Sequence, residues 1–260
     1  MNFIKEFFGI GGYTRTPEGA YSFEHLLFVS IVISLMLFLA IFLGIRNKNK
    51  DQKEKNKVLV VSAILIDSFE LLKIVIFCIN AKSLSPILTN LPLFLCSIQL
   101  ITIPLAAFSK GRIKEVSLDF VCIFGILGGI LGTVGAAQNY NAYPVLSFHN
   151  VVSAITHNIS AFSGLYIIIS NLKSFKKENI WLTVMLLLTF IVLALIANKI
   201  VNYNYMFLSY HDGTPYFILY NLVNGNKILY PILIVLAFLL YMGLFYSIYY
   251  LLQRKKNKKA

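Results

Sequence analysis

The feature that most constrains this chain is a series of apolar runs as long as a bilayer is thick, the first of them uncharged. Residues 26–45 hold no Asp, Glu, Lys or Arg, and a helix needs about 20 apolar residues to cross the hydrocarbon. Six further runs follow at about 58–79, 91–109, 116–137, 149–172, 180–201 and 228–252. Backbone in hydrocarbon must satisfy its own polar groups, so runs of this length are expected to be helices. The expected fold is all-α: a polytopic membrane protein of seven transmembrane helices (22–252) in one bundle, with a short interfacial segment (1–21) before it and a basic tail (253–260) after it. With 58% hydrophobic and only 13% charged residues, no large soluble domain fits beside the bundle.

The placement of charge orients it. A formal charge of +12 resembles a nucleic-acid signal, but the Lys and Arg residues lie between the runs, in RNKNKDQKEKNK (46–57), around Lys110, Arg112 and Lys114, in SFKKE (174–178) and in RKKNKK (254–259). Excess Lys and Arg mark cytoplasmic loops. These loops alternate with nearly uncharged ones, which predicts an outside N-terminus and a cytoplasmic C-terminus in a cell membrane, with no nucleic-acid partner. Phe3, Ile4, Phe7 and Phe8 fall at the spacing of an interfacial helix. Gly9, Gly11 and Gly12 have no strand before them and no Walker lysine after them, so no nucleotide loop is read there. Cys78, Cys96 and Cys122 have neither disulfide-framework nor zinc-site spacing. No metal and no cofactor are expected.

Function is sought among the polar groups inside the runs, because such groups are costly in hydrocarbon and turn toward the bundle interior or a wet cavity. If the third run is helical, Pro92, Cys96 and Gln99 share one face; in the fifth, His149, Ser153, His157, Ser160 and Gly164 do so. Ser85 and Pro86 read as an N-cap and first helical residue. A start there puts Cys96 at the depth of His157 and Glu70, about 12 to 15 Å from the outer end. Cys96 beside His157 has the chemistry of a nucleophile and its base, forming a thioester from an ester. Glu70, with Asp67 behind it, is the candidate orienting acid. Gln99 is placed to donate to a developing oxyanion. Gly125, Gly128, Gly129, Gly132 and Gly135 give GxxxG at 125/129 and 128/132, a helix-packing pattern.

Plainer readings stand beside these. A lone Cys in a membrane helix is usually a packing residue. His149 reads as a wetted interfacial residue, Asp212-Gly213 as turn chemistry, and Asn198 and Lys199 as the end of a span. Glu70 and Lys73 would lower their cost by pairing. Asp67, Glu70, Lys73 and His157 also compose a charge relay for a proton-linked carrier, and a non-enzymatic receptor or assembly factor is a third class.

LPLFLC at 91–96, the glycine-rich fourth run, the His157 run ending in Tyr166, and NYMFL at 204–208 together resemble the bacterial YwaF-like family of integral membrane proteins. That family is similar to the eukaryotic transmembrane protein 164 acyltransferases. The resemblance implies transfer of a fatty acyl chain between glycerophospholipids, with a membrane phospholipid or other acyl lipid as partner. By motif position the family's Cys and His fall on Cys96 and His157. Asn204 and Tyr205, in the NYMFL motif, are carried as candidate substrate-binding residues with Gln99 and Asp67.

Overall fold

The computed structural model describes residues 2–172 and 175–257; Met1, Lys173 and Ser174 at the third basic loop, and 258–260 of the tail lie outside the described residues. Among the described residues the regular structure is helical, with no strand. In chain order the helices are α1 (Asn2–Phe8), α2 (Phe23–Asn47), α3 (Gln52–Ala81), α4 (Ser85–Thr89), α5 (Gln99–Phe108) and α6 (Gly111–Phe120). After a π-helical turn, Val121–Gly125, come α7 (Ile126–Val134), α8 (Ala137–Ala142), α9 (Phe148–Ile169), α10 (Lys177–Val201), α11 (Phe217–Leu222) and α12 (Leu229–Asn257).

Among the described residues, five helical runs are long and apolar enough to cross a membrane: α2, the run Gly111–Ala142, α9, α10 and Leu229–Arg254 in α12. Their outward faces are apolar, with Leu35 and Phe38 on α2, Leu193 and Ile196 on α10, and Leu236 and Leu240 on α12 all exposed. Large exposed apolar surface of this kind belongs against lipid. α3 is longer still, at 30 residues, but Asp67, Glu70 and Lys73 interrupt its apolar character.

The third run departs from expectation: it is a broken helix. α4 ends at Thr89, and residues 90–98 are turns and bends before α5 begins at Gln99. The physical cause is local. Pro92 has no N–H and biases Leu91 toward extended backbone. Ser97 then holds a turn ahead of the helix, its Oγ accepting from Phe94 N at 2.9 Å, and the cap position of α5 is Ile98, without a side-chain bond. Pro92 and Cys96 are therefore not on one helical face with Gln99. Nor does Ser85 cap α4: the cap position is Leu84, without a side-chain bond.

The chain divides into two compact units, the first ending at Phe190 and the second beginning at Ile191. In the first, α9 is the packing centre, touching α2, α3 and α7. Its wealth of Ser, Ala, Gly and Asn lets neighbouring backbones approach. A Cβ at Gly129 of α7 would sit 2.4 Å from His157 O, and one at Gly164 of α9 would sit 2.9 Å from Val121 O. At the end of α9, Tyr166 Oη donates to Lys55 O (3.0 Å) and accepts from Asn47 Nδ2 (3.1 Å), tying α2, α3 and α9 together beside the first basic loop.

The N-terminal segment folds back over the opposite end of the same unit. Glu6 accepts from Thr14 N, Thr14 Oγ1 and Arg15 N at 2.8 to 3.1 Å. Asn80 Nδ2 donates to Phe8 O (2.8 Å), and Phe7 and Phe8 pack on Phe148, with centroids 5.9 and 5.0 Å away.

In the second unit, Asn198 Nδ2 donates to Tyr205 O (3.0 Å). Asn204 Oδ1 accepts from Ser209 N (3.0 Å) while its Nδ2 donates to Tyr210 O (2.8 Å).

Candidate active site

Cys96 is presented by the non-helical stretch just before α5, not from mid-helix. Its carbonyl accepts from Gln99 N (3.3 Å), the first residue of that helix. Cys96 is thereby tied by its backbone to the turn that leads into a ten-residue helix. The break in the third run is what puts it there.

His157 projects from α9 toward α7. Its Nδ1–H donates to Ser153 O at 2.7 Å, with Ser153 Oγ 3.3 Å from the same nitrogen. A ring that donates from Nδ1 keeps a lone pair on Nε2. Cys96 and His157 both lie against α7, at Gly128 and Gly132, one helical turn apart. Nδ1 being committed, Nε2 is the nitrogen left for the thiol. Both residues are of intermediate exposure.

The floor of the pair is made by two glycines of one GxxxG repeat. A Cβ at Gly128 would lie 3.2 Å from Cys96 Cα, and one at Gly132 would lie 2.0 Å from His157 Cδ2 and 2.2 Å from Nε2. Only a residue without a side chain admits the imidazole there. Beside His157, Asn158 Nδ2 bridges Thr133 Oγ1 (3.0 Å) and Ala154 O (2.8 Å), holding α9 to α7.

Gln99 is fully buried, its Oε1 accepting from Thr102 Oγ1 (3.0 Å), while its Nε2 makes no hydrogen bond. A buried amide donor without a partner costs about 1–3 kcal/mol. Such a donor one turn from the thiol is available to a ligand.

The orienting contact expected of Glu70 is made instead by the Ser153 carbonyl. Glu70 Oε1 sits 2.7 Å from Lys73 Nζ, and both side chains are largely buried. Asp67 turns outward, lining an open groove with Leu100, Pro104 and Phe108 of α5. His149 is not a wetted surface residue: its ring stacks between Phe77 (5.2 Å) and Tyr143 (4.3 Å). Asn204 and Tyr205 belong to the second unit, where both are buried and shape the loop after α10.

A model described as the TMEM164 family matches residues 20–249. The chain belongs to the TMEM164 family. It matches no curated protein and no solved structure. The matched region of this TMEM164-family chain contains Cys96, His157, Ser153 and both floor glycines, and membership is compatible with a membrane acyltransferase.

Ser153 as the orienter and Gly128 and Gly132 as the floor were missed from sequence. Ser153 acts through its carbonyl, which every residue has. The glycine spacing was visible, but not what it accommodates.

Proposed function

We propose that this TMEM164-family protein is a membrane-embedded acyltransferase that moves a fatty acyl chain between lipids through a Cys96 thioester. The observation that carries the reading is that Cys96 and His157 sit one turn apart against the glycines of α7, with His157 Nδ1 committed to Ser153 O and Nε2 left free for the thiol. In the first step Cys96 Sγ attacks the donor ester carbonyl. The ester C–O bond breaks, and His157 carries the thiol proton to the leaving alkoxide. In the second step an acceptor hydroxyl attacks the thioester carbonyl, gives its proton to His157, and the C–S bond breaks to regenerate the thiol. Gln99 Nε2 donates to the oxyanion of both tetrahedral intermediates. Ser153 holds the ring, and Glu70 acts on the site through Lys73.

The membrane placement belongs to the same reading. Five helical runs among the described residues meet the length and composition of a span; α3 and the broken α4–α5 run complete seven, with the N-terminus outside, the C-terminus cytoplasmic and the pair toward the outer leaflet. The host membrane is a bacterial plasma membrane, following the YwaF-like resemblance. Asp67 lies in the groove on the lipid-facing side of α3 and α5 and is a secondary substrate contact. Asn204 and Tyr205 are kept as proposed substrate-binding residues of the second unit.

The test is acyl transfer between phospholipids by purified protein in vesicles. Cys96→Ala and Cys96→Ser are expected to abolish transfer at a stability cost of about 1 kcal/mol. Full activity in either variant removes the thiol from the mechanism. Proton-coupled solute flux that survives Cys96→Ala and is lost in Asp67→Asn would favour the carrier reading.

A further inference from the structure

The Lys73–Glu70 pair is unusual for where it stands. A lysine and a glutamate one helical turn apart on α3 are paired at 2.7 Å with side chains only 14% and 10% exposed. Paired charges in such a place usually serve to cancel each other, because an isolated one is expensive to bury. One turn along α3 from Lys73, Phe77 stacks on His149 of α9 at 5.2 Å, so this face of α3 looks toward the α9 stretch that carries Ser153 and His157. An ammonium has three donors, and one is accounted for by Glu70 Oε1. α3 packs against α9, which carries His157, and against α5, which follows Cys96, so whatever binds Lys73 is held near that pair. Nearby, Gln99 Nε2 is a second buried donor without a partner. A cation and a neutral donor in the unit that holds the reacting pair suit a ligand with an anionic oxygen cluster close to an acyl ester.

Resting on the acyl-transfer reading above, we infer that Lys73 is the binding residue for the phosphate group of the lipid, and that Glu70 is the counter-ion the phosphate displaces. Glu70 keeps the ammonium neutralised while the site is empty, and the phosphate takes its place when lipid enters. The specificity for a phosphate-bearing lipid over a neutral glyceride then resides in this one exchange. Removing the cation lowers discrimination; removing the competing carboxylate raises it. A purely structural ion pair gives neither effect.

The experiment uses the full chain in detergent micelles with a neutral acyl donor, p-nitrophenyl palmitate, and two acceptors, lysophosphatidylethanolamine and monoacylglycerol. The readout is the ratio of kcat/KM for the two acceptors. Lys73→Met is expected to lower the ratio about tenfold, the size of a lost hydrogen bond to a charged group. Glu70→Gln is expected to raise it severalfold, and Lys73→Arg to hold it near the wild-type value, since Arg also grips phosphate. Because Lys73→Met strands a buried carboxylate, the double variant Glu70→Gln/Lys73→Met supplies a version without either charge, with the same lowered ratio expected. A ratio that is equal in all variants, while a Cys96 thioester still forms from the donor, overturns the Lys73 assignment and leaves the acyl-transfer reading standing. A wild-type protein that forms no thioester overturns both. Inorganic phosphate that slows transfer to both acceptors alike in wild type, and not in Lys73→Met, assigns the site to the free ion and overturns the headgroup.

Discussion

His157 occupies its position because the residue facing it has no side chain. A methyl group at Gly132 would fall 2.0 Å from His157 Cδ2, well inside any tolerated contact, so Gly132→Ala must swing the imidazole away from Cys96. The expected outcome is a loss of transfer of about 100-fold, the scale of a 1 Å misplacement of a reacting group, with a stability cost of about 1–3 kcal/mol from overpacking. Transfer assays beside thermal unfolding check it. Retained activity would mean that the ring is not held by that floor during turnover. At this scale the sequence was legible where a polar side chain interrupted apolar surroundings, as with Cys96, Gln99 and His157. It was silent where the acting group is backbone, as with Ser153 O, or is the absence of a side chain, as at Gly132. Glu70 was misjudged for a third reason: helical spacing put it beside Lys73 as readily as near a histidine, and the nearer partner took it.

The element that matters most is the broken run from α4 to α5. Periodicity there fitted a helix, since nothing in LPLFLC is polar enough to forbid one. The break comes from Pro92 and from Ser97, whose Oγ serves Phe94 N. Ser97→Ala removes that turn contact and is expected to cost about 1 kcal/mol of stability, and to slow alkylation of Cys96 by a membrane-permeant reagent, because the turn that holds Cys96 is loosened. Unchanged alkylation would separate the turn from the reactivity. The N-terminal segment offers a test of a different kind. Glu6 has its carboxyl held below the ordinary 4.5, first by the Arg15 N–H and then by the Thr14 hydroxyl and N–H. A lowered folded-state value contributes stability above the unfolded value and loses it as pH falls through the folded one. A spin label at Thr16 is therefore expected to stay ordered at neutral pH and to loosen in acid, and Glu6→Gln is expected to loosen it at neutral pH. Equal mobility in both proteins at every pH would mean that other contacts hold the segment.

For the whole molecule, the all-helical class and the multi-pass character could be read directly, because long uncharged runs such as 26–45 admit few other structures. The division at Phe190 could not, since α10 runs through it without a break in pattern. Orientation rests on the basic loops. Single cysteines introduced at Lys82 and at Lys50, in a protein whose own cysteines are replaced by alanine, test it with a reagent that does not cross membranes. The cysteine at 82 is expected to react from outside and the one at 50 only after permeabilisation; the reverse would put the Cys96–His157 pair in the cytoplasmic leaflet. The central claim concerns a covalent intermediate, and it is tested most directly by mass spectrometry of the peptide containing Cys96 after incubation with a phospholipid donor and no acceptor. The account predicts a fatty acyl adduct on Cys96 that hydroxylamine releases at neutral pH and that fails to form in His157→Ala. An unmodified Cys96 in a protein that still transfers acyl chains would contradict it.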